Sequence, residues 1–181
     1  MTMRRCVSML VMIGWAITAR AADARVAEVL QESLWGAAAR VADVSASELY
    51  AIALAESGVR CRDGKFRPWP WTINSPQGSL RANSKQAAQA ALRALLAAGE
   101  TNIDIGVMQV NWRAHGHRFG HLDLLDPATN LKVAAHILAE ARASHANLAV
   151  GIGRYHSWTP WRADAYVQRV SVWTRRIAHA K

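Results

Sequence analysis

Helix punctuation, more than any other feature, restricts what this alanine-rich chain of 181 residues can become. Ser45-Ala-Ser-Glu48 is a capping box, in which the serine hydroxyl and the glutamate carboxylate each take a backbone N–H that the first helical turn leaves unpaired. Ser84 opens an alanine- and leucine-rich run that Gly99 closes. Asp126-Pro127 and Thr159-Pro160 each set a capping residue before a proline whose fixed φ suits the first helical position. Helices are therefore expected from Ser45 to about Ser57, Ser84 to Ala98, Asp126 to about Ala143, and from Thr159 onward, where Tyr166, Val170, Trp173 and Ile177 recur at helical spacing. Further helices are expected over residues 24–41 and, weakened by Gly151 and Gly153, over Leu148–Tyr155. Arg67-Pro-Trp-Pro-Trp71 forbids helix, so residues 62–83 are expected as a short irregular or hairpin insert. In it, Trp71–Asn74 and Ser79–Asn83 flank a turn at Ser75–Gly78. Gly106–Trp112 is expected as a short helix or turn, and His115–His121 as a polar loop. The fold class is mostly α, a single helical domain without internal repeats or linkers.

Residues 1–21 read as an address label. Arg4 and Arg5 precede the apolar run Cys6–Ile17, which is shorter than the roughly 20 residues a membrane span needs. Ala19-Arg20-Ala21 places small residues where a signal peptidase cuts, so cleavage near Ala21 and a domain over residues 22–181 are expected. Cleavage removes Arg4, Arg5 and Arg20, taking the formal charge from +9 to +6. It also leaves Cys61 as the single cysteine, for which burial is expected. The remaining positive charge favours an anionic partner, and export makes nucleic acid the weakest candidate. No later apolar run approaches spanning length, and a monomer is expected.

One carboxylate stands where an apolar residue belongs. Leu49, Ile52, Ala53 and Glu56 share a helical face, so Glu56 points along the stripe that packs on the core. It falls in the last turn, where desolvation and the helix dipole both disfavour a negative charge. Both raise its pKa, as a general acid working near neutrality requires. The bland alternative is a glutamate whose tip reaches water past the helix end.

Three segments occur in order: Ala55-Glu56-Ser57-Gly58, Gly106-Val-Met-Gln-Val-Asn111 and Arg154-Tyr155-His156-Ser157. Together they resemble the lytic transglycosylases of the soluble-lytic-transglycosylase type, lysozyme-like enzymes that cut peptidoglycan. The family's Glu-Ser pair matches Glu56 and Ser57, and its Gly-Leu-Met-Gln-Ile-Asn segment matches Gly106–Asn111 with conservative exchanges. Its Ala-Tyr-Asn segment matches only at Tyr155, because Arg154 and His156 stand on either side. The resemblance implies a lysozyme-like α+β fold, with Glu56 as catalytic acid and Ser57, Met108, Gln109, Asn111 and Tyr155 contacting substrate. It implies cleavage of the bond between N-acetylmuramic acid and N-acetylglucosamine to 1,6-anhydro ends, with glycan strands as partner and no metal or cofactor. The Pro-Trp-Pro-Trp insert and the chain's size are similar to the small exported transglycosylases of conjugation, type IV secretion and pilus systems. That likeness implies a periplasmic location and components of such a machine as partners.

Several residues keep two readings. Asp104, the sole acid inside a matched segment's approach, either caps the turn into Gly106 or faces Glu56; a facing pair would suit a goose-type-lysozyme-like hydrolase. Ser57 either donates to Glu56 or the sugar, or closes the helix. Gln109 and Asn111 either bind acetamido and hydroxyl groups or brace their loop, Met108 either packs inward or walls the groove, and Tyr155 either orients Glu56 or the sugar or packs in the core. Of Trp69, Trp71, Trp112, Trp158 and Trp161, one or two are expected to line a groove. His115, His117 and His121 suggest zinc, but no cysteine or acid at ligand spacing accompanies them. Outside the enzymes, the rival is a wall-binding scaffold.

Overall fold

A computed structural model describes residues 32–179; the expected leader at residues 1–21 and the start of the expected helix 24–41 lie outside them. The described chain is mostly helical, with two small antiparallel sheets. Helices α1 (Leu34–Ala42) and α2 (Ala46–Ser57) come first, and the Ser45–Glu48 capping box forms in full at the start of α2. Strands β1 (Gly58–Arg60) and β2 (Phe66–Pro68) pair next, then β3 (Thr72–Ser75) and β4 (Gly78–Arg81) form the expected hairpin. After α3 (Lys85–Ala97), β5 (Asp104–Ile105) and β6 (Val110–Asn111) complete a sheet of order β4-β3-β5-β6. Helices α4 (Trp112–Phe119), α5 (Pro127–Ala143), α6 (Leu148–His156) and α7 (Pro160–Ala178) follow. No described helix is long and apolar enough to cross a membrane.

Helix α2 is the centre of the packing. Ala46, Leu49, Ala51, Ile52, Ala53, Leu54 and Ser57 are all buried, so apolar contact surrounds the helix instead of following one stripe. It packs along α7 and against α1, while α5 lies between α1 and α6. Removing Leu49's side chain from this well-filled site costs about 2–5 kcal/mol. The end of α2 meets β1 and β2 and, through Ser57, the turn between β5 and β6.

Of the two alternatives for Gly106–Trp112, helix or turn, the turn forms: it joins β5 to β6, with Ile105 paired to Val110, and Trp112 begins α4. Gly106 (φ 82°) and Gln109 (φ 51°) both take left-handed backbone, which turns the chain back on itself. One segment departs from expectation: His115–His121 is no loop, and most of it lies in α4, whose N-cap is Asn111, with Asn111 Oδ1 accepting the Ala114 N–H at 3.0 Å. Gly116 and Gly120, suggestive of a loop in sequence, instead make room for the Trp112 ring. Strands β1 and β2 were unexpected; Phe66 of β2 is stacked on Trp173 of α7 at 4.7 Å. Cys61 is only half-buried, and its thiol is free.

Candidate active site

Glu56 sits one residue before the end of α2, at the floor of a groove of about 800 Å³. Only 11% of its side chain is accessible, and that part opens into the groove. Burial pushes its carboxyl up to about 7 from 4.5; the Tyr166 hydroxyl and then Arg169 hold back part of the rise, while Asp104 adds to it. The group is therefore poised between acid and base near neutrality. The sheet side of the groove offers amides and a hydroxyl, including Asn74, Ser79, Asn102 and Asn111. The helical side offers Tyr155, His156, Arg154 and Arg162.

Ser57 is adjacent in sequence but faces elsewhere. Its fully buried hydroxyl donates to the Val107 carbonyl at 2.7 Å and accepts the Trp69 N–H at 3.2 Å. It ties the end of α2 to the β5–β6 turn and the insert, so it acts as a strut with no surface to offer a sugar. Met108 is likewise corrected: its side chain is fully buried, and only its carbonyl serves the site, accepting the Tyr155 hydroxyl at 2.8 Å.

The turn between β5 and β6 is held by Asn130, a buried residue of α5 that no sequence motif singles out. Its Nδ2 donates to the Ile105 and Leu124 carbonyls, both at 2.9 Å, and its Oδ1 accepts the Met108 N–H at 2.8 Å. Gly106 is required beside it, because a Cβ there would lie 2.5 Å from Asn130 Nδ2. Gln109 Nε2 donates to the Gly106 carbonyl at 2.8 Å and the Thr72 carbonyl at 3.2 Å, which leaves its Oε1 as the end available to a ligand. Asn111 is committed at both ends: Oδ1 caps α4, and Nδ2 donates to Asp104 Oδ1 at 2.8 Å. Bracing the loop is thus its main task, although it lines the groove.

Asp104 does not cap the turn into Gly106. It lies on β5 in the groove wall, accepting from Asn111 and, at 3.4 Å, from Asn74.

Tyr155 keeps its proton, since burial and then the charge of Glu56 raise its pKa. A second phenol, Tyr166, belongs to the buried stripe of α7. Its buried hydroxyl has no fully formed hydrogen bond, yet lies near enough to Glu56 to lower that carboxyl's pKa. One face of its ring is stacked on His156 at 4.5 Å, and Arg169 approaches the ring at 5.0 Å. His156 Nδ1 is 3.9 Å from Glu56 Oε1. Burial, followed by Arg169, depresses the imidazole below its usual range. His156 is therefore neutral by the pH at which Glu56 ionises, and the contact is not an ion pair near neutrality.

Of the five tryptophans expected near the site, Trp158 lines the groove. Trp69 and Trp71 pack edge-to-face against each other at 5.9 Å, and Trp112 packs over the glycines of α4. Among the described residues no group of three histidine, cysteine, aspartate or glutamate side chains comes together to hold a metal.

No family model, curated protein or solved structure matches the chain.

Proposed function

We propose that the protein is a peptidoglycan lytic transglycosylase of lysozyme-like fold, with Glu56 as its single catalytic group. The observation that carries this reading is a carboxyl buried at the floor of an open groove and pushed up to about 7. Glu56 enters protonated and gives its proton to the departing oxygen between N-acetylmuramic acid and N-acetylglucosamine. The carboxylate then takes the proton of the muramic 6-hydroxyl as that oxygen attacks the anomeric carbon. A 1,6-anhydro end forms and no water is consumed. Attack from within the same sugar replaces an encounter of two molecules. Tyr166 and Arg169 stabilise the carboxylate between the two proton transfers. Gln109 Oε1 and the amides of the sheet side suit acetamido and hydroxyl groups. The resemblance to exported transglycosylases extends the proposal to local opening of the wall for a secretion, conjugation or pilus apparatus.

Hydrolysis of the same bond is the second reading, favoured by Asp104, which shares the groove and acts on Glu56 electrostatically. Incubating the purified protein with wall sacculi and weighing the released fragments separates the possibilities. Anhydro ends support the transglycosylase, hydrated reducing ends the hydrolase, and no fragments a scaffold. Glu56→Gln should lower the rate by at least about 10²–10⁴-fold.

A further inference from the structure

Helix α7 packs one face against α2 and α6 and leaves the opposite face exposed. Tyr166 and Val170 are buried on the packed side. On the outer side Trp161, Ala165, Gln168 and Val172 follow at i, i+4, i+7 and i+11, a single helical stripe. All four are exposed, Trp161 by 67% and Val172 by 38%. Arg162, Arg169 and Arg176 run along one side of this stripe, and Arg175 stands on the other. The Arg162 guanidinium lies over the Trp161 ring, 5.1 Å from its centroid. Asp164 is the only acid in α7, and among the described residues none of the four arginines comes within ion-pair distance of a carboxylate.

An exposed indole and valine between unneutralised guanidiniums match the headgroup layer of an anionic bilayer. The indole ring is at home where acyl chains meet headgroups, while arginine stems lie along the apolar surface and their heads reach lipid phosphates. A helix with an apolar centre and cationic flanks lies in the plane of such a surface. A glycan strand is held in a cleft, whereas Trp161, Val172, Arg175 and Arg176 all stand outside the groove, on the convex side of a helix. A fluid headgroup layer needs no cleft, and each arginine near it strengthens partition about fivefold. We propose that the outer face of α7 docks the protein on an anionic phospholipid surface. Arg162 and Arg169 border both this face and the groove, so docking sets the groove alongside the membrane. The docking stands independently of what the groove cleaves.

The test sediments the purified protein with vesicles of phosphatidylcholine alone and of phosphatidylcholine mixed with phosphatidylglycerol, following tryptophan emission in parallel. The anionic vesicles should bind at least about tenfold more tightly at low salt, and the gap should close as salt screens the arginines. Emission should shift to the blue on binding, and Trp161→Ala should remove most of that shift. Arg175→Glu, which reverses one charge at an exposed position, should weaken binding about 10–30-fold, whereas Arg175→Lys should bind as the unaltered protein does. Failure to bind either vesicle, equal binding to both, or binding that survives Trp161→Ala and Arg175→Glu alike overturns the proposal. So does a dimer in sedimentation equilibrium that Trp161→Ala dissociates, because the face would then serve a second copy of the chain.

Discussion

Replacing Glu56 by glutamine should stabilise the protein above neutral pH while leaving it almost unchanged in acid. The carboxyl's pKa rises from 4.5 to about 7 on folding, chiefly because burial disfavours its charged form. Between those two values the folded state holds a proton that the unfolded chain has released, so stability falls as pH rises through the window. Below it, the group is neutral in both states and no penalty exists. Above it, the penalty is complete, about 3 kcal/mol, at about 1.4 kcal/mol per pH unit of difference. Glutamine copies the shape of the neutral acid and never ionises, so the variant escapes that cost. For a chain of this size the difference corresponds to a melting temperature about 6–12 °C higher at about pH 8, shrinking toward zero near pH 4. Paired thermal or urea melts of the two proteins across this range measure it, and titrations elsewhere cancel in the comparison. A stability difference that does not change with pH would refute the reasoning, because Glu56 would then be hydrated in the folded protein.

The remaining expectations concern the parts that hold Glu56 in place. Ser57→Ala removes the buried bond to the Val107 carbonyl and should cost about 1–3 kcal/mol in urea unfolding; no loss would mean the strut is idle. Gly106→Ala forces a left-handed alanine against Asn130 and the Leu124 carbonyl, and should lower stability by about 2–4 kcal/mol together with activity. Tyr166→Phe removes a group that lowers the Glu56 pKa, so the alkaline limb of the pH–rate profile should move to higher pH. A smaller rate with an unmoved profile would make Tyr166 merely a packing residue.

Local signals read well where the physics is local. The capping box at Ser45, the proline starts at Pro127 and Pro160, and the β3–β4 hairpin depend on neighbours in sequence, and all formed. Glu56 stands out less by its helical phase than by the enclosure of its whole helix. Helix α2 is enclosed on nearly every side, so any polar residue near its end would have looked anomalous. Long-range features stayed hidden. Asn130 is an ordinary residue of an alanine-rich helix until its amide meets a turn more than twenty positions earlier in the chain. Tyr166 follows the period of an apolar stripe, and only the fold turns its hydroxyl toward a carboxyl. The capping role of Asn111 is hidden in the sequence by Gly116 and Gly120, which suggest a loop where α4 forms. A clue did exist there, since an asparagine immediately before Trp112 is a common helix start.

Running the reaction in oxygen-18 water examines the central claim most directly, that one buried acid cleaves the glycan by internal attack. Newly formed ends should contain no heavy oxygen and should carry the anhydro ring, and both products should vanish with Glu56→Gln. Heavy oxygen at the new reducing ends would show that water is the nucleophile and would contradict the account.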